Sequence, residues 1–238
     1  MKTAASAPEP STARSGGRRA EKSLATRERI LDVAELEFSR HGMDGVTLRD
    51  VARKARVDTA LLHYYFESKK GLFDAVFLRR AEVLNKDRME ALDRYEDEAG
   101  DAVTVEGAVA AFLNPVLDRC ANAGPGWRAY FALIGVVNNT PVWGGETMTR
   151  YFDPVIHRLI KVVRRALPEA REEDLFWSYH MLSGSLTLTL AETGRIDALS
   201  GGICRSDDIA AVGPRMIAYA AAGFRAVCRP GPGQPPIS

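Results

Sequence analysis

The sequence predicts an all-α protein. Two observations carry that reading: apolar residues recur at three- and four-residue spacing from about residue 30 to residue 227, and no segment shows sustained period-2 alternation between hairpin turns. A chain of 238 residues, 46% hydrophobic and 26% charged, has enough to bury a real core. The same proportions exclude collagen-like, disulfide-scaffold and wholly disordered classes.

The elements follow in order. Residues 1–23 are rich in Ala, Ser, Pro, Gly and Arg and offer almost nothing to bury, which predicts a flexible arm. Ile30, Leu31, Ala34 and Phe38 mark one face of a first helix, stopped by Gly42 and Gly45. Thr47 and Asp50 form a T-x-x-D cap that starts a second helix, with Leu48, Val51, Ala52 and Ala55 as its narrow apolar face. Arg56, Val57 and Asp58 make a turn in which Val57 is buried and Asp58 caps a short third helix, with Leu62 and Phe66 facing inward. Further helical stretches cover roughly 68–97, 104–122, 126–138, 146–166, 171–194 and 206–227. The run Leu186–Leu190 could stand alone as a strand, but it lies inside a longer helical pattern. Pro214 marks a kink in the last helix or its effective start. Residues 229–238 read as a Pro/Gly-rich flexible tail.

The net charge of +1 conceals an uneven distribution. Residues 1–80 hold 16 Lys and Arg against 11 Asp and Glu, whereas the remainder holds 16 against 20. A basic first third and an acidic remainder suggest two parts with different partners, unless the asymmetry is chance. Cys120, Cys204 and Cys228 form no C-x-x-C pair and suit buried thiols in a reducing compartment. The first 23 residues lack the apolar stretch of a secretory signal, and no run approaches the ~18 apolar residues of a membrane span. A soluble, cytoplasmic chain without membrane contact is expected.

Helix, three-residue turn and helix over Thr47–Phe66, with an apolar residue in the turn, is the pattern of a helix-turn-helix unit. A generic helical hairpin has the same apolar spacing. In a helix-turn-helix the second helix enters the DNA major groove and its exposed N-terminal residues meet base edges. Here those residues are Thr59, Ala60, Leu61, His63 and Tyr65. Thr59 can hydrogen-bond a base, while Ala60 and Leu61 can contact a thymine methyl. Arg49 can reach a guanine or a phosphate, and Thr47, Tyr64 and Lys69 suit phosphate contacts. Lys2, Arg14, Arg18, Arg19 and Lys22 in the arm could reach a minor groove, or belong to a plain disordered terminus.

Residues 26–77 resemble the DNA-binding domain of the TetR (tetracycline-repressor) family. The matching segments are TRERILDVAELEFSRHGMDGVTLRDVARKARV and LLHYYFESKKGLFDAVF. Two positions depart from the family pattern: Arg56 stands where glycine is usual, and His63 where tyrosine is frequent. The resemblance implies an N-terminal three-helix helix-turn-helix domain (residues 24–70) followed by a helical-bundle ligand-binding and dimerisation domain (residues 71–228). It implies a homodimer that binds a palindromic operator in double-stranded DNA and is released by a small effector, with no cofactor. The helix over 68–97, roughly 45 Å long, is the lever between the two parts. FLNPVLDR (112–119), WRAYFALI (127–134), FDPV (152–155) and GRIDALSGG (194–202) resemble a subgroup that responds to fatty acids or acyl-CoA.

In the second part, Trp127, Tyr130, Phe131 and Ile134 line one helical face, and Trp143, Phe152, Phe176, Trp177 and Tyr179 add further aromatics. Such a stripe is either core or the wall of an apolar pocket, with His157 or His180 orienting a small molecule. Dimerisation is expected on the last two long helices, where Gly184, Ala218, Ala220, Ala221, Ala222 and Gly223 permit close packing. The rival classes are a helical enzyme and an architectural DNA binder without an effector. For an enzyme the motifs are missing: there is no G-x-G-x-x-G, P-loop, G-x-S-x-G or H-E-x-x-H, and His41, His63, His157 and His180 are dispersed. No metal site is expected.

Overall fold

The computed structural model describes residues 12–122, 124–140 and 144–229. These residues form ten helices and no strand: α1 Thr12–His41, α2 Leu48–Ala55, α3 Thr59–Phe66, α4 Lys69–Ala99, α5 Val105–Asn122, α6 Pro125–Asn138, α7 Gly144–Ala166, α8 Glu172–Leu190, α9 Arg195–Leu199 and α10 Ile209–Val227. α1, α2, α3 and the start of α4 share one core of Ile30, Leu31, Phe38, Val51, Leu62, Phe66 and Phe73. Beyond it, α4 runs between α5 and α7, α6 lies on α1 and α8, and α10 packs on α5 and α8.

Several boundaries differ from expectation. Residues 12–23 are the first turns of α1 rather than a loose arm, since Ala, Arg, Lys and Glu extend a helix whose later turns are locked by Ile30 and Leu31. The Tyr65 hydroxyl holds this extension through the Ser23 hydroxyl, 2.6 Å away. Lys2 and the tail beyond residue 229 lie outside the described residues. α8 stops at Leu190, because Glu192 and Gly194 take positive φ values of 43° and 69° and turn the chain into α9. α10 begins at Ile209, capped by the Asp208 carboxylate, which accepts the Ala211 N–H at 3.0 Å. Pro214 therefore lies inside the helix rather than at its start. Pro115 in α5 and Pro154 in α7 also sit inside helices.

The turn between α2 and α3 is built without glycine. Arg56 itself adopts the left-handed conformation (φ 55°, ψ 51°). Val57 N–H donates to the Ala52 carbonyl at 3.0 Å and Arg56 N–H to the Arg53 carbonyl at 3.2 Å, the paired bonds of a Schellman ending. Arg29 of α1 satisfies a further terminal carbonyl, with its Nε donating to Ala55 O at 3.0 Å. The departure from glycine costs strain, of order 1–2 kcal/mol for a residue with a Cβ, and leaves the geometry intact.

One charged joint ties the two halves together. Glu35 of α1 is only 2% exposed, and Arg80 of α4 grips its carboxylate with two bonds of 2.5 and 2.6 Å. Arg79 adds a third bond at 3.2 Å and also reaches Asp32 and Glu28. The Arg80 guanidinium lies 5.0 Å from the centre of the Trp127 ring, which Arg119 covers at 4.4 Å. Farther along α4, Glu96 binds Arg158 and Arg165 of α7 at 2.5 and 2.7 Å. Those two hydrogen bonds, Arg165's first, hold its carboxyl below the ordinary glutamate range.

Two substitutions test this framework. Glu35→Gln leaves the half-buried Arg80 guanidinium without a counter-charge, while Arg79 keeps Asp32 and Glu28, and should destabilise the protein by about 3 kcal/mol in urea unfolding. Arg56→Gly should raise the unfolding midpoint by the equivalent of about 1 kcal/mol, because glycine accepts positive φ without penalty. An unchanged midpoint would mean that the αL conformation carries no strain.

Candidate nucleic-acid interface and effector cavity

The interface is assembled from three consecutive helix starts. At the start of α2 the Thr47 hydroxyl accepts the Asp50 N–H at 3.2 Å and donates to the Asp50 carboxylate at 2.5 Å. The Thr47 hydrogen bond, helped by Arg53, holds the Asp50 carboxyl below its ordinary range. Asp58 caps α3 by accepting the Ala60 N–H at 2.7 Å. Ser68 caps α4 by accepting the Gly71 N–H at 3.0 Å. Gly71 is required there, since a Cβ would stand 2.1 Å from the Phe66 carbonyl oxygen. This close approach fixes α4 directly against the end of α3.

With Leu62 and Phe66 buried, α3 turns Ala60, His63 and Tyr64 outward, and Tyr64 is 78% exposed. Arg49 and Thr47 are exposed at the start of α2, and Lys69 is half-buried at the start of α4. Lys70 is paired with Asp74, whereas Lys69 makes no ion pair among the described residues. Thr59 and Leu61 are half-buried. Two residues expected on the reading face behave differently. Tyr65 packs against the core and bonds Ser23, so it faces α1 rather than standing free. His63 is exposed, but its Nδ1 lies 3.1 Å from the Glu67 carbonyl oxygen, which turns the ring back along its own helix.

The second part holds a narrow apolar cavity of about 30 Å³. α4 contributes Leu84 and Arg88, α5 Phe112 and Val116, α6 Ile134, and α7 Met148 and Phe152. Tyr179, Leu182, Ser183, Leu186, Thr187 and Leu190 of α8 close the remaining wall. Of the residues read from the sequence as core or pocket wall, Ile134, Phe152 and Tyr179 line it. Tyr130 and Phe131 are instead fully buried core, with Tyr130 packed on Phe77 at 5.5 Å. Trp127 is enclosed between Arg80 and Arg119 at the charged joint. His157 is exposed, with Nδ1 2.8 Å from the Asp153 carbonyl oxygen, and Trp177 and His180 lie on the outer face of α8. Trp143 lies outside the described residues.

Sequence reasoning missed Arg88. A signal existed: Phe77, Ala81, Leu84, Arg88 and Leu92 form one buried stripe along α4, and the arginine occupies an apolar position in it. Burial pulls its pKa down to about 10, which leaves it charged at neutral pH. Among the described residues no three His, Cys, Asp or Glu side chains come together as a metal site, and no helix is long and apolar enough to cross a membrane.

The comparisons with known proteins agree with this architecture. Over 48 residues the chain is 40% identical to the biofilm operon icaADBC HTH-type negative transcriptional regulator IcaR of Staphylococcus aureus. That match covers 20% of this chain and spans only 26% of IcaR. The fold resembles the hemolysin II transcriptional regulator HlyIIR, with a TM-score of 0.54 at 17% identity over 83% of this chain and 97% of that one. It also resembles the fatty acid degradation regulator FadR of Bacillus halodurans, with a TM-score of 0.57 at 13% identity over 84% of this chain and 96% of that one. Residues 30–76 match the model for bacterial regulatory proteins of the tetR family, and residues 110–223 match the tetracyclin repressor-like C-terminal domain. With both halves of one architecture matched in chain order around the helix-turn-helix and the apolar cavity, this chain belongs to the TetR family.

Proposed function

We propose that the protein is a sequence-specific DNA-binding transcriptional repressor, released from its operator when a small apolar effector enters the cavity between α4, α5, α7 and α8. The observation that carries this reading is the continuity of α4. Its first turn is fixed against the end of α3 by Ser68 and Gly71, and its middle is a wall of the cavity. Lys69 and Arg88 are 19 residues apart on that helix, about 28 Å at 1.5 Å per residue. A guest that displaces the wall therefore displaces the reading helix. Release requires the guest to prefer the non-binding conformer, with ~1–3 kcal/mol of coupling typical of such systems.

Arg49, Ala60 and His63 face the DNA in this reading, with Thr47, Tyr64 and Lys69 on phosphates. Thr59 and Leu61 contribute their exposed edges. A fatty acid or acyl-CoA is the effector class, in keeping with the resemblance of the C-terminal segments and with the named role of FadR. Two copies associate through the outer faces of α8 and α10, where Trp177, Met181, Leu188 and Tyr219 are all more than half exposed. Small residues contribute less than their number suggests, since Ala220 and Ala221 are buried within their own chain. Two recognition helices would then meet half-sites about 34–36 Å apart, or a multiple of it. The reading assigns the chain no reaction.

Selection of bound DNA from a random pool tests the central claim, and failure to enrich any sequence would favour an enzyme or a non-specific binder. Replacing Tyr64 and Lys69 together with alanine should weaken binding nearly equally on all sequences and reduce the salt slope by about 1. A loss confined to one base position would contradict their phosphate role. Placing glutamate at both Trp177 and Leu188 should convert the dimer to a monomer in sedimentation, and an unchanged dimer would move the interface elsewhere.

A further inference from the structure

Among the described residues Arg88 is the one cation lining the cavity, and nothing in the DNA-binding reading uses it. It is only 5% exposed. Its Nε–H donates to the Phe112 carbonyl at 3.2 Å, and its guanidinium lies 4.1 Å from the centre of the Phe112 ring. Among the described residues, its two terminal amino groups make no hydrogen bond and no carboxylate lies within ion-pair range. This contrasts with four other cations of α4. Arg79 and Arg80 each hold a carboxylate, and the Lys70 and Lys86 ammonium groups are paired along the helix. A buried guanidinium without a counter-charge is costly to keep, and a carbonyl and a ring face do not neutralise it.

We propose that the effector is an amphiphile carrying a free carboxylate, whose head group pairs with the Arg88 guanidinium while its chain lies along Leu84, Val116, Phe152 and Leu186. This rests on reading the cavity as the effector site and names the chemistry that site selects. The open face of a guanidinium fork matches a planar carboxylate with two parallel hydrogen bonds. One cation balances one negative charge, so a monoanion fits and a phosphate dianion does not. An acyl-CoA, with several phosphate charges and no free carboxylate on its acyl chain, is the poorer guest.

A cavity of about 30 Å³ holds little more than a water molecule, whereas sites for drug-sized ligands enclose roughly 300–1,000 Å³. Entry of the chain must therefore spread the walls. The head group anchors the guest to α4, so spreading loads α4 against α7 and α8, which is the motion the DNA-binding half would feel.

The test uses the full chain and a head-group series on one tail: dodecanoate, methyl dodecanoate, dodecanol and dodecanoyl-CoA. Binding is measured by calorimetry and release by fluorescence anisotropy of the selected operator. Dodecanoate should bind the wild-type protein at least about tenfold more tightly than its methyl ester or dodecanol. In Arg88→Met that preference should fall to within about threefold, while the unliganded variant unfolds at a higher temperature because a solitary buried charge is gone. The wild-type series needs no variant, so it decides the matter even where Arg88→Met folds poorly. Equal affinity for acid and ester, tighter binding of dodecanoyl-CoA, or no binding of dodecanoate would each overturn the proposal. If the ester also releases the operator as well as the acid does, the effector reading survives without the Arg88 pairing. If dodecanoate binds through Arg88 without releasing operator, the pairing survives and the release reading fails.

Discussion

The join between the two halves of the structure depends on a buried carboxylate. Glu35 lies on α1, all but closed off from solvent, and would be untenable alone; Arg79 and Arg80 of α4 make it the point where the two halves of the chain are joined. Everything on either side is oriented by that joint. Toward the N-terminus it sets how the three-helix core sits on the long helix. Toward the C-terminus it places Trp127, and through it Arg119 and Asp87, so that α5 and α6 share the same electrostatic seam. Because the partners come from different helices, the seam specifies a mutual orientation and not merely proximity.

Aromatic packing continues the connection without charge. Phe38 meets Phe73 edge-on at 5.2 Å, Phe73 stacks on Phe77 at 5.6 Å, and Phe77 meets Tyr130 and Phe152 at 5.5 and 6.1 Å. Phe152 is itself a wall of the cavity. Three of these contacts, Phe38–Phe73, Phe73–Phe77 and Phe77–Phe152, lead from the core beneath the recognition helix to the cavity lining. Close-packed rings cannot shift independently, so a displacement at Phe152 has a solid path toward Phe38.

The helices and their starts were readable from residue spacing because each is governed by neighbours in the chain. Thr47 with Asp50, Asp58 with Ala60, and the stripe Ile30, Leu31, Ala34, Phe38 are local features, and local rules find them. The cavity was not readable in the same way. Trp127 and Ile134 share a helical stripe, yet one meets two arginines and the other meets the cavity, and that difference is decided by α4 and α5. Arg88 was passed over because a lone charge in a sequence reads as solvated, and only packing reveals what surrounds it. Arg56 is the opposite case: its neighbours made the turn evident, and the structure added how a residue with a Cβ accommodates it. Residues 12–23 read as an arm from composition, but their helix is propagated from Ile30 and Leu31 and held by Tyr65, 42 residues away in sequence from Ser23.

The interior prolines give the bundle an uneven stiffness. Pro115 and Pro154 stand beside cavity-lining residues of α5 and α7, and each removes one rung of its helix's hydrogen-bond ladder at that level. α4 and α8, the walls that face them, contain no proline. Apart from the edge that Ile134 of α6 supplies, the enclosure therefore has two compliant sides and two rigid ones. On the proposed reading, pressure from a guest would bend the compliant sides at fixed hinges and move a rigid side bodily, so that α4 would transmit displacement along its length in the manner of a pushrod.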